Sequence, residues 1–216
     1  MNVLVVYAHP HPASFGAALR DQVVDTLSAA GHRVDLIDLY REGFDPLLSP
    51  DELAQHRAGL AQRPTLAGHA RLVAEAKAVV LVYPTWWGGP PAMLKGWFDR
   101  VLCEGVAYRL PPGKHRIRPS LRHIKHLVVV TSYGSPRWIN ALQGEPGRRM
   151  IRWGLRTLLH PLVRTQWIAL YGMDRNTHAD RVAFQQQLTQ RLQTLGAPSR
   201  VMTANPRPVR TKANTP

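Results

Sequence analysis

The segment Val79–Leu102, VVLVYPTWWGGPPAMLKGWFDRVL, decides how the rest of the chain is organised. It begins as an unbroken apolar run, which is typical of a strand buried on both faces of a parallel sheet. Two tryptophans and two glycines then predict a turn, and a pair of prolines opens a helix. The apolar residues of that helix recur at helical spacing and should pack into the core; they are Met93, Leu94, Trp97, Phe98 and Val101. We therefore interpret the segment as a strand, a ligand loop and a helix.

The same alternation of strands and helices continues on both sides of this segment. We predict strands at Asn2–Ala8, Arg33–Leu39, Lys77–Tyr83, His126–Thr131 and Gln166–Leu170. Besides the helix just described, we predict helices from Phe15 to Gly31 and at Asp51–Gly59, Leu66–Ala76, Met150–Leu159 and Ala179–Leu195. Strands that alternate with helices favour an α/β fold, a doubly wound parallel sheet of five strands with helices on both faces.

Smaller signals refine this outline. Ser14 should cap the first helix, and Thr177 and Asp180 are spaced as a cap pair for the last one. We expect the last helix to bury Val182, Leu188, Leu192 and Leu195. The Pro-, Gly- and Arg-rich stretch Glu104–Pro119 should form an excursion with a short hairpin.

Length and composition predict one domain, residues 1–196, followed by a tail. The tail, residues 197–216, is basic and rich in proline, a composition typical of disorder. The single cysteine, Cys103, is expected on the helix that leaves the opening segment, and it cannot form a disulfide framework, which favours a reducing, cytoplasmic compartment. The apolar run Val3–Ala8 lacks the basic region of a signal peptide, and no run approaches the roughly 18 residues that span a bilayer.

The chain is strongly basic, with 28 Lys and Arg residues, 14 Asp and Glu residues and a formal net charge of +14. This charge favours anionic partners, among them nucleic acids, phosphorylated cofactors and acidic membrane surfaces. No zinc-finger, helix-turn-helix or RNA-binding signature accompanies it, so we expect no nucleic-acid function. We expect diffuse surface charge instead, part of which can meet the phosphates of a dinucleotide.

Three loops follow predicted strands and should meet at the carboxyl edge of the sheet, where doubly wound folds bind ligands. The first loop, His9–Ser14, offers His9 and the free amides of a helix start, which suit a phosphate. The alternative is that Ser14 only caps the helix, and the two roles are compatible. The third loop, Thr131–Pro136, offers Thr131, Tyr133 and Gly134, a weak signal by itself.

The second loop, Pro84–Pro91, carries the strongest signal. Trp86 and Trp87 can stack on a planar ligand, and Gly88 and Gly89 allow close approach of the backbone. Backbone donors and the positive end of the following helix would stabilise negative charge on an electron-accepting heterocycle such as a reduced flavin. The alternative is that both tryptophans belong to the core.

Other common sites are absent from the sequence. No G-x-G-x-x-G dinucleotide fingerprint, no phosphate-binding P-loop and no G-x-S-x-G elbow occurs. His123 and His126 are three residues apart, but no cysteine or carboxylate joins them at metal-ligand spacing. We therefore expect no metal site.

Three motifs, AHPHPASF at Ala8–Phe15, YPTWWGGPPAMLKGWFDRVL at Tyr83–Leu102 and TSYG at Thr131–Gly134, resemble the flavodoxin-like NAD(P)H:quinone oxidoreductases. This family includes the mammalian quinone reductases, bacterial drug-activity modulators and accessory subunits of potassium-efflux antiporters. The resemblance covers roughly residues 1–195. It implies a five-stranded flavodoxin-like fold, a homodimer with its active site at the subunit interface, and bound FAD or, alternatively, FMN. It also implies ping-pong transfer of a hydride from NAD(P)H to the flavin and then to a quinone.

The resemblance also implies roles for individual residues. His9, Ser14 and Phe15 match positions that hold the flavin phosphate and ribityl chain. Pro84, Thr85, Trp87, Gly88 and Gly89 match the loop under the flavin ring, and Thr131, Tyr133 and Gly134 match the loop at its pyrimidine edge. Trp86 could close the pocket, pack across a dimer or fill space. No catalytic side chain is assigned, because in this chemistry the flavin carries the hydride.

The sequence departs from the family pattern in two places. Gly88 stands where the mammalian enzymes have an aromatic residue, and Trp138 and Ile139 lie where those enzymes place an active-site tyrosine, with no matching histidine after them. The natural acceptor is left open, as are the choices of FAD or FMN and of NADH or NADPH.

Two other functions are compatible with the same loops. One is an accessory regulatory subunit that binds flavin and gates a potassium-efflux transporter, whose membrane face would suit the basic surface. The other is a one-electron flavodoxin carrier, which the charge of +14 disfavours because such carriers are generally acidic.

Overall fold

The computed structural model describes residues 1–55, 64–113 and 115–196. Five strands form one sheet, β1 (Asn2–Tyr7), β2 (Arg33–Asp38), β3 (Ala78–Pro84), β4 (His126–Ser132) and β5 (Arg164–Leu170). All neighbouring pairs are parallel, and the spatial order is β2-β1-β3-β4-β5. The chain passes from β1 to β2 on one side of the sheet centre and from β3 to β4 on the other, so the connections after β1 and β3 separate and leave the crevice that ligands use in such folds.

Helices cover both faces of the sheet, as the sequence predicts. They are α1 (Phe15–Ala29), α2 (Pro50–Gln55), α3 (Pro64–Glu75), α4 (Ala92–Val101), α5 (Arg137–Leu142), α6 (Pro146–Arg149) and α7 (His178–Gln193). One core lies between the sheet and helices α1 and α7; the other lies between the sheet and helices α3 and α4 with residues 150–159. The predicted five-stranded α/β architecture is therefore confirmed.

The helix boundaries follow the expected capping chemistry. Ser14 caps α1, its Oγ accepting a hydrogen bond from the Ala17 amide at 3.1 Å, and Gly31 follows the helix with φ of 79°. Thr177 and Asp180 form the predicted capping box of α7, each side chain accepting from the other residue's amide. These predictions are confirmed.

The predicted helix over Met150–Leu159 has a different winding. Residues Met150–Gly154 form a π-helix and Leu155–Leu158 a 3₁₀-helix, so neither segment is a regular α-helix. Three short elements were not predicted from the sequence: α5, α6 and a 3₁₀ turn at Met173–Arg175. These are short, and their apolar residues are too few to show a period.

Three further predictions need correction. Val182, expected on the buried face of α7, is 36% exposed, and Phe184 is buried in its place. Cys103, expected on α4, follows the end of that helix and is buried. Phe98 packs at the edge of the core rather than inside it, whereas Trp97 is 2% exposed, as predicted.

The remaining predicted segments agree with the structure where it describes them. The excursion contains a two-stranded antiparallel hairpin, Tyr108–Arg109 with Arg118–Pro119. The helix expected over Asp51–Gly59 is seen as far as Gln55, and its continuation lies outside the described residues, as does the tail at 197–216. Among the described residues, no helix combines the length and the apolarity that crossing a bilayer requires.

Candidate active site

A cavity of about 390 Å³ opens at the carboxyl ends of β1, β3 and β4. Its wall contains residues from all three predicted loops: His9, Ser14, Phe15, Pro84, Thr85, Trp86 and Gly134. Leu19, Ser132, Met173 and Asp174 also line it. The volume lies in the range of pockets that hold small molecules and cofactors. The structure therefore brings the three loops together, as their positions after parallel strands predict.

The first loop leads directly into the amino end of α1. Ser14 Oγ accepts a hydrogen bond from an amide of the first helical turn and lies 3.3 Å from the Tyr7 hydroxyl. These two contacts fix the position of the serine side chain. The first turn of α1 contains no acidic residue, which leaves its positive end available to an anion. His9 accepts a hydrogen bond at Nδ1 from the His11 amide, and burial lowers the His9 pKa.

The second loop is a tight turn closed by two backbone hydrogen bonds. The amide of Trp86 donates to the Gly89 carbonyl and the amide of Gly89 donates to the Trp86 carbonyl, both at 2.9 Å. Trp87 and Gly88 have φ of 50° and 73°, the combination found in primed hairpin turns. The Trp87 side chain is fully exposed, and Trp86 lies at the rim of the cavity. Neither tryptophan is a core residue.

Residues of the third loop alternate between the cavity and the core behind it. Ser132 and Gly134 line the cavity, whereas Thr131 is 1% exposed and its hydroxyl lies 2.8 Å from the hydroxyl of Thr85. Tyr133 is also buried, and burial raises its pKa. The structure thus places Thr131 and Tyr133 behind the cavity wall rather than on its surface.

The turn at Trp86–Gly89 is supported from outside by α6. The Gly147 amide donates a hydrogen bond to the Gly88 carbonyl at 2.7 Å. A Cβ added to Gly147 would lie 2.6 Å from that oxygen and equally close to the Gly89 Cα, so only glycine allows this contact. Gly88 and Gly89 therefore lie against α6, outside the cavity lining.

One acidic residue holds this support in place. Glu145 accepts a hydrogen bond from the Tyr171 hydroxyl at 3.0 Å and an ion-paired one from Arg148 at 2.7 Å. Tyr171 stacks on Tyr133 with ring centroids 4.6 Å apart. Burial, followed by the hydrogen bond to Glu145, raises the pKa of Tyr171. We call Tyr171, Glu145 and Arg148 the Glu145 network; it links the end of β5 to α6 and, through Gly147, to the turn.

Sequence reasoning missed the Glu145 network, Gly147 and Asp174. The turn-forming run Gln143-Gly144-Glu145-Pro146-Gly147 could have shown that a loop lies here, but nothing in it indicates a partner 26 residues away. Asp174 could have been found from its position just beyond the last predicted strand. In the structure its Oδ2 would lie 3.0 Å from a Cβ added to Gly134. Trp138, which replaces an expected tyrosine, is exposed on α5.

Comparison with known proteins adds an independent observation. A family model described as a flavodoxin-like fold matches residues 1–195. Among curated proteins, the chain is 38% identical over 115 residues to an uncharacterized NAD(P)H oxidoreductase of Haemophilus influenzae, which covers 53% of this chain and 56% of that protein. It is 34% identical over 126 residues to human ribosyldihydronicotinamide dehydrogenase (quinone), which covers 51% of this chain and 54% of the human one. The aligned regions thus span about half the length of these relatives.

Solved structures give fuller coverage. The NAD(P)H:quinone oxidoreductase from Methanothermobacter marburgensis superposes with a TM-score of 0.77 at 28% identity, over 90% of this chain and 98% of that one. The similarity therefore extends over most of this chain and nearly the whole of that one.

Proposed function

Because the chain belongs to the flavodoxin-like family that contains the NAD(P)H:quinone oxidoreductases, we propose that it is a flavin-dependent NAD(P)H oxidoreductase acting on a quinone or a similar small electrophile. The observation that carries this proposal is the cavity at the carboxyl ends of β1, β3 and β4, which the three predicted loops line together. FAD or FMN would occupy this cavity, and NAD(P)H would be the electron donor.

The residues present fit such a cofactor. The cavity is lined by the apolar side chains of Phe15, Leu19 and Met173 and by Ser14 and Gly16 at the amino end of α1. Gly134 leaves room at the wall, because a side chain there would meet Asp174. The net charge of +14 also favours a phosphorylated ligand.

Bound flavin would accept a hydride from NAD(P)H and pass it to the acceptor, in a ping-pong sequence. The amides of α1 and the side chain of Ser14 would hold the phosphate. Residues 84–86, which line the cavity, would hold the ring, and the turn that follows them is fixed by its own two hydrogen bonds and by Gly147. Thr85 and Thr131 hold the two loops at a constant separation through their hydroxyl contact. These groups would orient the flavin and keep water from it. They are uncharged backbone and hydroxyl groups.

The direct test is to purify the protein, extract any bound cofactor and identify it by mass. We expect a yellow protein whose flavin absorbance bleaches on anaerobic addition of NADH or NADPH and returns when a quinone is added. Initial-rate plots against both substrates should give the parallel lines of ping-pong kinetics. A colourless protein that takes up neither FAD nor FMN would refute the proposal.

We also propose that the active form is a homodimer. A fully exposed Trp87 beside a partly exposed Trp86 is apolar surface that a second copy would bury next to the cavity. Sedimentation equilibrium should give twice the chain mass, and a strictly monomeric protein with full activity would contradict this.

A further inference from the structure

Positive charge is concentrated in one part of the chain. Residues 105–173 contain twelve Lys and Arg residues and a single acidic residue, Glu145, so they carry +11 of the total charge of +14. Residues 1–104 carry a net charge of −2. The basicity of the protein is therefore concentrated in this segment and, to a lesser degree, in residues 174–216, which carry +5.

Two neighbouring concavities expose much of this charge. The larger, about 840 Å³, is lined by Arg116, Ile117, Arg118, Arg122, Thr157 and Leu158 among others. The smaller, about 460 Å³, includes Arg148, Arg152, Trp153 and Arg156. Arg156 lines the smaller concavity and the next residue, Thr157, lines the larger, so the segment 152–158 joins the two concavities. We call Arg116, Arg118, Arg122, Arg152 and Arg156 the basic face.

The charges of the basic face are not neutralised within the part of the chain that the structure describes. None of its five guanidinium groups lies within ion-pair distance of a described carboxylate. The only acid in this part of the sequence, Glu145, already pairs with Arg148. Uncompensated charge on a concave surface raises the local concentration of anions, so the basic face should bind an anionic partner.

The apolar residues between these arginines indicate which partner. Ile117 and Trp153 line the two concavities and are exposed. The headgroup region of a bilayer accepts arginine, aliphatic and tryptophan side chains together, whereas a nucleic-acid backbone offers an isoleucine no apolar contact. An isologous second copy would place two basic faces against each other, which like-charge repulsion opposes.

We propose that the basic face docks on the phosphate-bearing headgroup surface of an anionic lipid bilayer. Its arginines contact lipid phosphates, and Ile117 and Trp153 enter the headgroup region. None of these residues lines the cofactor cavity, so docking leaves the candidate active site open. Binding itself does not depend on the proposed redox function. If that function holds, docking would place the enzyme at the membrane, where apolar quinones dissolve.

The test measures co-sedimentation of the purified, cofactor-loaded full chain with phosphatidylcholine vesicles, with and without phosphatidylglycerol. We expect binding only to the anionic vesicles, and weaker binding at high salt. The double variant Arg116→Ala/Arg122→Ala should lower the partition coefficient by about 30-fold, because each arginine near an anionic surface contributes about fivefold. Trp153→Ala should also weaken binding without changing its dependence on salt.

A matched control removes the same charge elsewhere. Arg33 and Arg71 are exposed and lie outside the basic face, so Arg33→Ala/Arg71→Ala should leave vesicle binding almost unchanged. Equal losses in the two double variants would mean that only net charge matters, and would overturn the proposal. So would equal binding to neutral vesicles, tighter binding to an oligonucleotide than to anionic vesicles, or displacement by inorganic phosphate at matched ionic strength. Anaerobic bleaching by NAD(P)H is scored separately, so failure of docking and failure of the redox function are distinguishable.

Discussion

Glu145 connects three parts of the candidate site through one side chain. Its carboxylate accepts a hydrogen bond from Tyr171 and forms an ion pair with Arg148. Two residues further along the chain, the Gly147 amide donates a hydrogen bond to the turn at the candidate site. Its own backbone is left-handed, with φ of 44°, a conformation that costs a residue with a side chain about 1–2 kcal/mol. The contacts of the Glu145 network offset that strain, so losing them should release α6 from the turn.

We therefore predict that Glu145→Gln and Tyr171→Phe each reduce flavin retention as well as stability. Tyr171→Phe removes the hydroxyl donor, whereas Glu145→Gln removes the negative charge and replaces one acceptor oxygen by a donor amide. Each change should lower the free energy of unfolding by about 1 kcal/mol. Glu75→Gln, which breaks the exposed pair between Arg71 and Glu75, should cost only a few tenths of that and leave flavin content unchanged. Flavin titration and urea unfolding of the three variants provide the measurement. Unchanged flavin affinity in Glu145→Gln and Tyr171→Phe would mean that the network supports the fold alone.

Trp87 should act on the ligand rather than on the fold. Its side chain is fully exposed, so Trp87→Ala should leave the unfolding free energy nearly unchanged. If the indole stacks on the flavin, the same change should weaken flavin binding by about 1 kcal/mol beyond the lost contact area. Equilibrium dialysis against FAD and FMN would measure the effect, and intact affinity in the variant would rule out a stacking role.

At the scale of elements, the two capped helices offer a matched pair. Ser14 and Thr177 cap α1 and α7 with the same type of hydrogen bond, so Ser14→Ala and Thr177→Ala should each cost about 1 kcal/mol of stability. Only Ser14 lines the cavity, and only Ser14→Ala should also reduce flavin affinity. Thermal unfolding and flavin titration of both variants would test this. Equal flavin affinity in the two variants would mean that Ser14 caps α1 and does not contact the flavin.

Elements with a clear period or a capping signal were predictable from the sequence, and the others were not. The five apolar runs identified every strand of the sheet, and β5 was placed only two residues too late, at Gln166 instead of Arg164. The apolar residues of Met150–Leu159 predict a helix, but their spacing does not distinguish the observed π- and 3₁₀-helical winding from an α-helix. Val182 was misplaced because the spacing alone fits it as well as Phe184, and packing against α1 selects the latter.

At the scale of the whole molecule, the carboxyl edge of the sheet made the candidate site predictable. Loops after parallel strands must meet there, which is why His9, Pro84 and Gly134 converge although 125 residues separate the first from the last. The support behind the site was not predictable in the same way. The contact between Gly147 and Gly88 joins two segments that are distant in the sequence. Tertiary packing brings them together, and neither segment carries a sequence pattern that indicates the other.

Buried tyrosines should make the protein sensitive to alkali. Burial raises the pKa of Tyr83, Tyr133 and Tyr171 above the ordinary value near 10. A folded-state pKa above the unfolded value means that the stabilisation is complete below about pH 10 and is lost as the pH rises through the folded values. Denaturant midpoints measured against pH should fall above that point, with a shallower fall in Tyr171→Phe. A Tyr171→Phe profile parallel to that of the unmodified protein would contradict the contribution of Tyr171.

The left-handed backbone at Trp87 has a consequence for anyone engineering a heat-tolerant version of this protein. Asparagine adopts this conformation far more readily than tryptophan, so Trp87→Asn should raise the melting temperature, with a gain of up to about 1 kcal/mol in unfolding free energy. The same substitution removes the indole beside the cavity. A screen for thermostability alone would therefore select against an indole that the proposed dimer buries next to the cavity, and such a screen should score flavin content together with melting temperature.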